Sequence, residues 1–414
     1  MTAIPRDPSL DSTLALARDG YTFISKRCRL LGSDVFETRL MLEPAICMTG
    51  AAAARLFYDE GRFQRAGAAP PRLLMTLFGK GGVQALDGEA HRRRKGMFLA
   101  LLDDAAVRAI LDTTRREWIR RIPRWEQAGD VLLFHEVEEI LCRAVCDRAG
   151  VPLPEPDVTR RTADFHAMID GAGGTGPRHW RGRGARRRAE RWIGGLVDAV
   201  RAGTLTVPGG SALAVVATYR ELDGSPLDMR AAAVELLNLL RPTVAVAWWI
   251  TFAALALHEH PGVRASIERA DDAGIERFAQ EVRRFYPFFP FVAARVREDF
   301  EWDGFRFTAG RRVLLDIYGT HHNARSWGDP EAFRPERFAE EGDPFRFLPQ
   351  GAGDAASGHK CPGDPLAVAL TKAGAELLVR SMRYRVPEQD LHVDLSRIPT
   401  LPRSGFVIRD VHPV

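Results

Sequence analysis

The chain has 414 residues, 45% of them hydrophobic and 27% charged, with a formal net charge of +4. That balance is ordinary for a globular protein large enough to enclose a cofactor pocket, and it excludes a disordered or collagen-like chain. The five cysteines (Cys28, Cys47, Cys142, Cys146 and Cys361) are odd in number and lack clustered spacing, which argues against a disulfide framework.

The N-terminus lacks a charged segment followed by an apolar run, so no secretory signal is expected and the protein reads as cytoplasmic. Short strand-like runs come first, at 35–40 and 45–49. Helical periodicity then marks 89–101, 104–121, 135–149, 158–170, 185–202, 227–258 and 275–286. Cys142 and Cys146 share a helix face without a matching ligand pair, which predicts core packing. The basic stretch 178–191, with Arg186, Arg187 and Arg188, reads as a solvated helix face rather than a nucleic-acid or membrane patch. The most apolar segment, 231–257, is interrupted by Glu235, Asn238, Arg241 and Pro242. Its clean part falls short of the roughly 20 residues a bilayer span needs, so it predicts a buried core helix and no membrane span.

Strand-like pieces return near 291–297, 300–302 and 311–316, and Asp303-Gly304 predicts a hairpin turn. A Pro- and Gly-rich region, 330–363, shows no regular pattern; a last helix, about 365–383, precedes a strand-rich tail. The expected fold is mainly α with small β-sheets, as one compact domain over 1–414.

The segment 347–363 reads Phe-Leu-Pro-Gln-Gly-Ala-Gly-Asp-Ala-Ala-Ser-Gly-His-Lys-Cys-Pro-Gly. Glycines such as Gly353 let backbone approach a bulky flat ligand. Pro362 suits the first position of the following helix, which places Cys361 at a helix N-terminus that favours a thiolate. His359 and Lys360 add positive charge nearby. A thiolate on such a loop suits an axial iron ligand and favours O–O cleavage.

Two further motifs stand upstream in order. Glu281-Val-Arg-Arg284 is a Glu-x-x-Arg pair, and Phe333-Arg-Pro-Glu-Arg337-Phe338 follows it. With the cysteine loop, they make the chain resemble the cytochrome P450 superfamily. The resemblance implies a haem-thiolate domain in which haem b is ligated by Cys361. It also implies that Glu281, Arg284 and Arg337 hold the cysteine loop and take no part in chemistry.

The central helix departs from most of that superfamily. Where an acid–alcohol pair is usual, the chain reads Asn238-Leu-Leu-Arg241-Pro242-Thr243-Val-Ala245. A buried guanidinium costs several kcal/mol unless an anion meets it. Glu235 lies six positions away, poorly placed to pair, whereas a ligand carboxylate would pair bidentately. This Arg-Pro pair resembles the hallmark of the fatty-acid peroxygenase branch, and so do Leu77-Phe78-Gly79, Gly176-Pro-Arg-His-Trp180 and Leu315-Asp-Ile-Tyr-Gly319.

That resemblance implies hydrogen peroxide as oxidant, a long-chain fatty acid as substrate, no redox partner and no nucleic acid. The substrate carboxylate on Arg241 supplies the acid–base function, beside Pro242. Anchoring the carboxylate brings Cα and Cβ nearest the oxidant. Leu77, Phe78, Ile169, Ala172, Ala245, Phe289 and Val292 are the candidates for lining the pocket. Gln84 stands where alkene-forming decarboxylases of the branch tend to carry histidine, which suggests hydroxylation. Phe289 is bulky where β-selective relatives tend to have glycine, which favours Cα. Arg65, His91, Arg94 and Lys95 are the expected partners of the haem propionates. The competing readings are a decarboxylase, a reductase-dependent haem monooxygenase, and a haem sensor without turnover.

Overall fold

The longest apolar helix, Met229–Glu259, runs through the protein interior, and its most apolar stretch is almost wholly buried. A helix apolar on all sides is stable only when neighbours cover every face. Residues 3–414 are described by this computed structural model. Asp228 caps the helix, accepting from the N–H groups of Arg230 (3.0 Å) and Ala231 (3.1 Å). Helices Leu133–Ala149, Val158–Asp170 and Gly176–Arg201 pack against its first half. Helices Asp272–Phe285 and Asp364–Glu376 pack against its second half.

The strands are β1 (Val35–Leu40), β2 (Glu43–Met48), β3 (Phe63–Gln64), β4 (Val131–Leu132), β5 (Phe291–Val296), β6 (Phe300–Trp302), β7 (Phe305–Phe307), β8 (Arg312–Asp316), β9 (Met382–Arg385) and β10 (Val407–Pro413). They form a five-stranded sheet in the order β1-β2-β8-β5-β3, a three-stranded sheet β4-β10-β9 and the hairpin β6-β7. β2 and β8 run parallel, the other pairs antiparallel. The architecture is mainly α with small sheets, as the periodicity predicts.

Two expectations change in detail. The helix runs through Pro242 and is interrupted at Val246, whose N–H bonds Thr243 O at 3.2 Å, one tightened turn between Met229–Ala245 and Ala247–Glu259. The arginine run on Gly176–Arg201 is not simply a solvated face. Arg186 points inward and donates to the carbonyls of Leu77 (2.9 Å) and Phe78 (3.3 Å) and to Glu190 (2.7 Å). It lies so close to Gly79, at φ 82°, that a Cβ there would overlap the guanidinium. Its target is backbone carbonyl oxygen, which leaves no trace in periodicity.

Candidate active site

Cys361 ends the loop that the Glu-x-x-Arg helix supports. The following helix begins at Asp364, with Gly363 as its cap and a proline (Pro365) in its first turn. This corrects the expected role of Pro362, which lies in a turn ahead of the helix, where Asp364 N bonds Cys361 O at 3.3 Å. The two ends of the loop are tied by Cys361 N to Gln350 O at 2.9 Å. Burial pushes the Cys361 thiol up, opposed by the Gly363 N–H, the Lys95 charge and the Gln350 side chain.

Gln350 Nε2 donates to Cys361 Sγ at 3.6 Å, while its Oε1 accepts from Arg283 at 2.7 Å. Arg283 also pairs with Asp364. Sequence reading passed over Arg283 and Gln350, since neither belongs to a recognisable spacing. Behind them, fully buried Glu281 accepts from Arg284 (2.7 and 2.8 Å), from Arg337 (3.1 Å) and from the Arg334 N–H (2.8 Å). Arg284 goes on to His321 O at 2.9 Å, and His321 Nε2 accepts from Leu348 N at 2.7 Å. Burial holds His321 well below the usual imidazole range, so it is neutral and can accept. The triad thus reaches the start of the cysteine loop through one histidine.

Of the four expected propionate partners, Arg65 and His91 make no side-chain hydrogen bond or ion pair among the described residues. Arg65 lies over the Phe57 ring at 4.2 Å, and its guanidinium meets no acceptor among the described residues. His91 stacks on His359 at 4.0 Å and is pushed down to about 4 by burial and by that neighbour. The other two already have protein partners. Lys95 donates to the carbonyls of Gly358 and Lys360, so it fastens the cysteine loop. Arg94 is taken by Glu235 at 2.7 Å, by Glu221 and by Gly81 O at 3.1 Å. It sits on the same helix, Gly88–Leu101, but acids from 221 and 235 capture it. Gly353 has φ 86°, a conformation glycine adopts freely.

Arg241 is 4% exposed, and its Nη1 has no hydrogen-bond partner. No carboxylate pairs with it among the described residues. Burial and the Arg186 charge push it down to about 9, while Cys361 pulls the other way. Glu235, the candidate protein anion, also binds Asn238 Nδ2 at 2.9 Å. Asn238 in turn donates to Gln84 Oε1 at 3.1 Å, which fixes the Gln84 amide. Asn238 is a site residue that sequence reading quoted without a role.

Leu77, Ile169 and Ala245 are buried, and Phe78 and Ala172 half-buried, in one apolar cluster. Val292 belongs instead to the cluster around the five-stranded sheet. Phe289 is 38% exposed and meets Phe288 edge to face, with ring centroids 4.6 Å apart. Phe288 packs on Trp249 at 4.5 Å, and its carbonyl accepts from Tyr21 Oη at 2.7 Å. The more firmly held ring is therefore Phe288, which the sequence argument overlooked in favour of its neighbour.

These residues fit a haem. Cys361 offers a half-buried sulfur facing N–H donors, Arg65 offers a cation without an acceptor for a propionate, and Arg241 offers an unpartnered buried guanidinium.

The cytochrome P450 family profile matches residues 275–407. Cytochrome P450 26C1 of Mus musculus is 24% identical over 98% of this chain and 87% of its own length. Solved structures lie much nearer. Cytochrome P450SP alpha (CYP152B1), in complex with (R)-ibuprofen, is 48% identical with a TM-score of 0.95, covering 98% of this chain and 99% of the other. Cytochrome P450EX alpha (CYP152N1) with myristic acid is 40% identical with a TM-score of 0.97, covering 100% of both. Ligand-free cytochrome P450 OleT is 36% identical with a TM-score of 0.96, covering 99% of both. Identity at this level over whole chains, together with the cysteine loop and the Arg-Pro helix, settles the relationship: the chain belongs to the cytochrome P450 superfamily and, within it, to the CYP152 family of peroxygenases.

Proposed function

We propose that the protein hydroxylates long-chain fatty acids next to the carboxylate, using hydrogen peroxide and no electron-transfer partner, with Cα favoured over Cβ. The reaction balances as substrate C–H plus hydrogen peroxide giving C–OH plus water. The observation that carries this reading is the buried, unpartnered guanidinium of Arg241. A charge in that position is costly unless a ligand anion joins it. Two of these relatives are named with myristic acid and with (R)-ibuprofen, both carboxylic acids.

The bound haem supplies the oxidising chemistry. The residues of the chain supply binding, orientation and proton control. Arg241 grips the substrate carboxylate bidentately. The carboxylate oxygen takes a proton from the peroxide oxygen and returns it to the departing hydroxide as water, which replaces the missing acid–alcohol pair. Gln84, held by Asn238, stands at the edge of that site as a neutral amide. The apolar walls exclude water and keep the alkyl chain extended away from the reacting end. The rings of Phe288 and Phe289 limit how far the chain slides, which favours Cα. Cys361 holds the iron, and its Gln350 contact tunes the sulfur. Arg65 and His91 hold the propionates. We place the enzyme in the cytoplasm.

The test is product analysis by mass spectrometry after hydrogen peroxide is added to haem-loaded protein and a saturated long-chain acid. The reading requires 2-hydroxy acid without any reductase. Terminal alkene as the main product, or no turnover until a reductase is supplied, would overturn it.

A further inference from the structure

The tip of the β1–β2 hairpin combines two unusual features. Met41 and Leu42 form a two-residue loop with φ 52° and 63°, a turn type dominated by Asn, Asp and Gly. Both side chains are exposed, Met41 by 47% and Leu42 by 79%. Bulky apolar residues are thus held in a left-handed conformation that costs them energy, with no interior packing in return.

They do not stand alone. Leu42 N donates to Asp11 Oδ2 and Met41 N to Thr13 Oγ1, each at 2.6 Å, which fastens the tip to the segment carrying Leu10 and Leu14. Leu10 is 90% exposed and Leu14 85%. Four large apolar side chains therefore project from one rigid corner, well beyond the single exposed leucines that most surfaces carry.

The charge around that corner is positive. Arg6 and Arg39 are exposed and form no ion pair among the described residues, and Arg18 is largely in solvent. Of the nearby acids, Asp7 and Asp19 pair with Arg27 and Glu43 with Arg295 and Arg312, while Glu37, beside Arg6, forms no ion pair among the described residues. Asp11 keeps its negative charge at the corner, accepting from the backbone N–H groups of Thr13 and Leu42 and lying near Arg39. An apolar tip flanked by the exposed arginines Arg6, Arg39 and Arg18, the last paired with Asp19 at 3.5 Å, complements an anionic lipid surface, where side chains enter the acyl boundary and cations meet the headgroups.

We propose that the corner formed by Leu10, Leu14, Met41 and Leu42 docks this protein peripherally on membranes rich in anionic lipid. The docking is reversible, without a span, and independent of the reaction assigned above.

The test uses the haem-loaded full chain and sucrose-filled vesicles, one set of phosphatidylcholine and phosphatidylglycerol in equal parts, one of phosphatidylcholine alone. Cosedimentation is expected with the anionic vesicles and is expected to weaken with phosphatidylcholine alone and with added salt. The variant Met41→Asn/Leu42→Gly carries residues the turn prefers, so it should melt no lower than the parent while its vesicle partition falls about tenfold or more. Absence of binding by the parent at low salt, or equal binding by the variant, overturns the proposal. So does a lipid-free dimer of the parent that the variant abolishes, which would assign the corner to a second copy of the chain.

Discussion

Arg94 Nη1 donates to Glu235 Oε1 at 2.7 Å, which commits the one acid in the first half of the central helix to a partner other than Arg241. Glu235 has its remaining oxygen on Asn238, so nothing anionic is left facing the guanidinium six residues on. Arg241 is left without an anionic partner among the described residues, while Glu235 is held by a residue of Gly88–Leu101.

Removing that acid should unbalance the core without helping Arg241. Glu235→Gln leaves Arg94 with Glu221 alone and is expected to cost about 3–5 kcal/mol, the range for breaking a buried pair. Chemical denaturation of the holoenzyme would measure it. The double change Glu235→Gln/Arg94→Met should recover much of the loss; a double variant no more stable than the single one would contradict the pairing.

Arg241→Ala is expected to retain haem and its thiolate spectrum while lowering peroxide-driven turnover of long-chain acids by about 10²-fold or more, the scale for losing a preorganised charge partner. Fatty-acid titration of the haem spectrum should lose saturation as well. A short carboxylic acid added to the variant should restore part of the peroxide chemistry on a separate, neutral substrate. Full activity on fatty acids in the variant would be incompatible with the proposed grip.

The Glu281 cluster behaves differently. Glu281→Ala strands Arg284, which is fully buried, and frees the Arg334 and Arg337 contacts. The expected outcome is poor haem retention or failure to fold, read as the ratio of haem absorbance to protein. Normal haem content would show that the triad does not hold the loop.

Asp316 provides a pH test remote from the site. It is wholly buried, its Oδ1 accepts from Gly319 N at 2.8 Å, and its Oδ2 has no partner. Burial raises its pKa from 3.8 to about 7. The folded state therefore binds this proton more tightly than the unfolded chain does. The resulting stabilisation is complete below about 4 and disappears as pH rises through about 7. Melting temperatures of the parent and of Asp316→Asn, compared from pH 5 to 8, should converge or cross, with the variant gaining relative to the parent as pH rises. A constant difference across that range would contradict the assignment.

The product ratio tests the two rings. Phe288→Gly and Phe289→Gly should each move product from Cα toward Cβ, the first more than the second, because Phe288 is the ring anchored on Trp249. Chromatography of the hydroxy acids would show the shift; unchanged ratios in both would remove the steric argument.

Much of this was legible in the residues. The helices at 104–121 and 158–170, the β6–β7 hairpin at Asp303-Gly304 and the cysteine loop follow from periodicity, turn chemistry and motif order. What stayed hidden depends on contacts between distant segments. Arg94 and Lys95 look like neighbouring basic groups on one helix, yet a turn of about 100° per residue sends one to the Glu235 carboxylate and the other to loop carbonyls. Asn238, Gln350 and His321 are polar residues whose roles arise only once a partner more than ten positions away is in place. Short elements such as Phe23–Leu31 and Ala212–Thr218 carry too few turns for a periodic signal.

The most direct test compares a long-chain fatty acid with its methyl ester in the haem-loaded protein, with hydrogen peroxide and no reductase, by mass spectrometry of the products. The ester keeps the alkyl chain and removes the anion that Arg241 would hold. Efficient conversion of the acid to its 2-hydroxy product, with the ester nearly inert, is the predicted result. Equal hydroxylation of acid and ester would contradict the account, because the buried guanidinium would then have no part in the reaction.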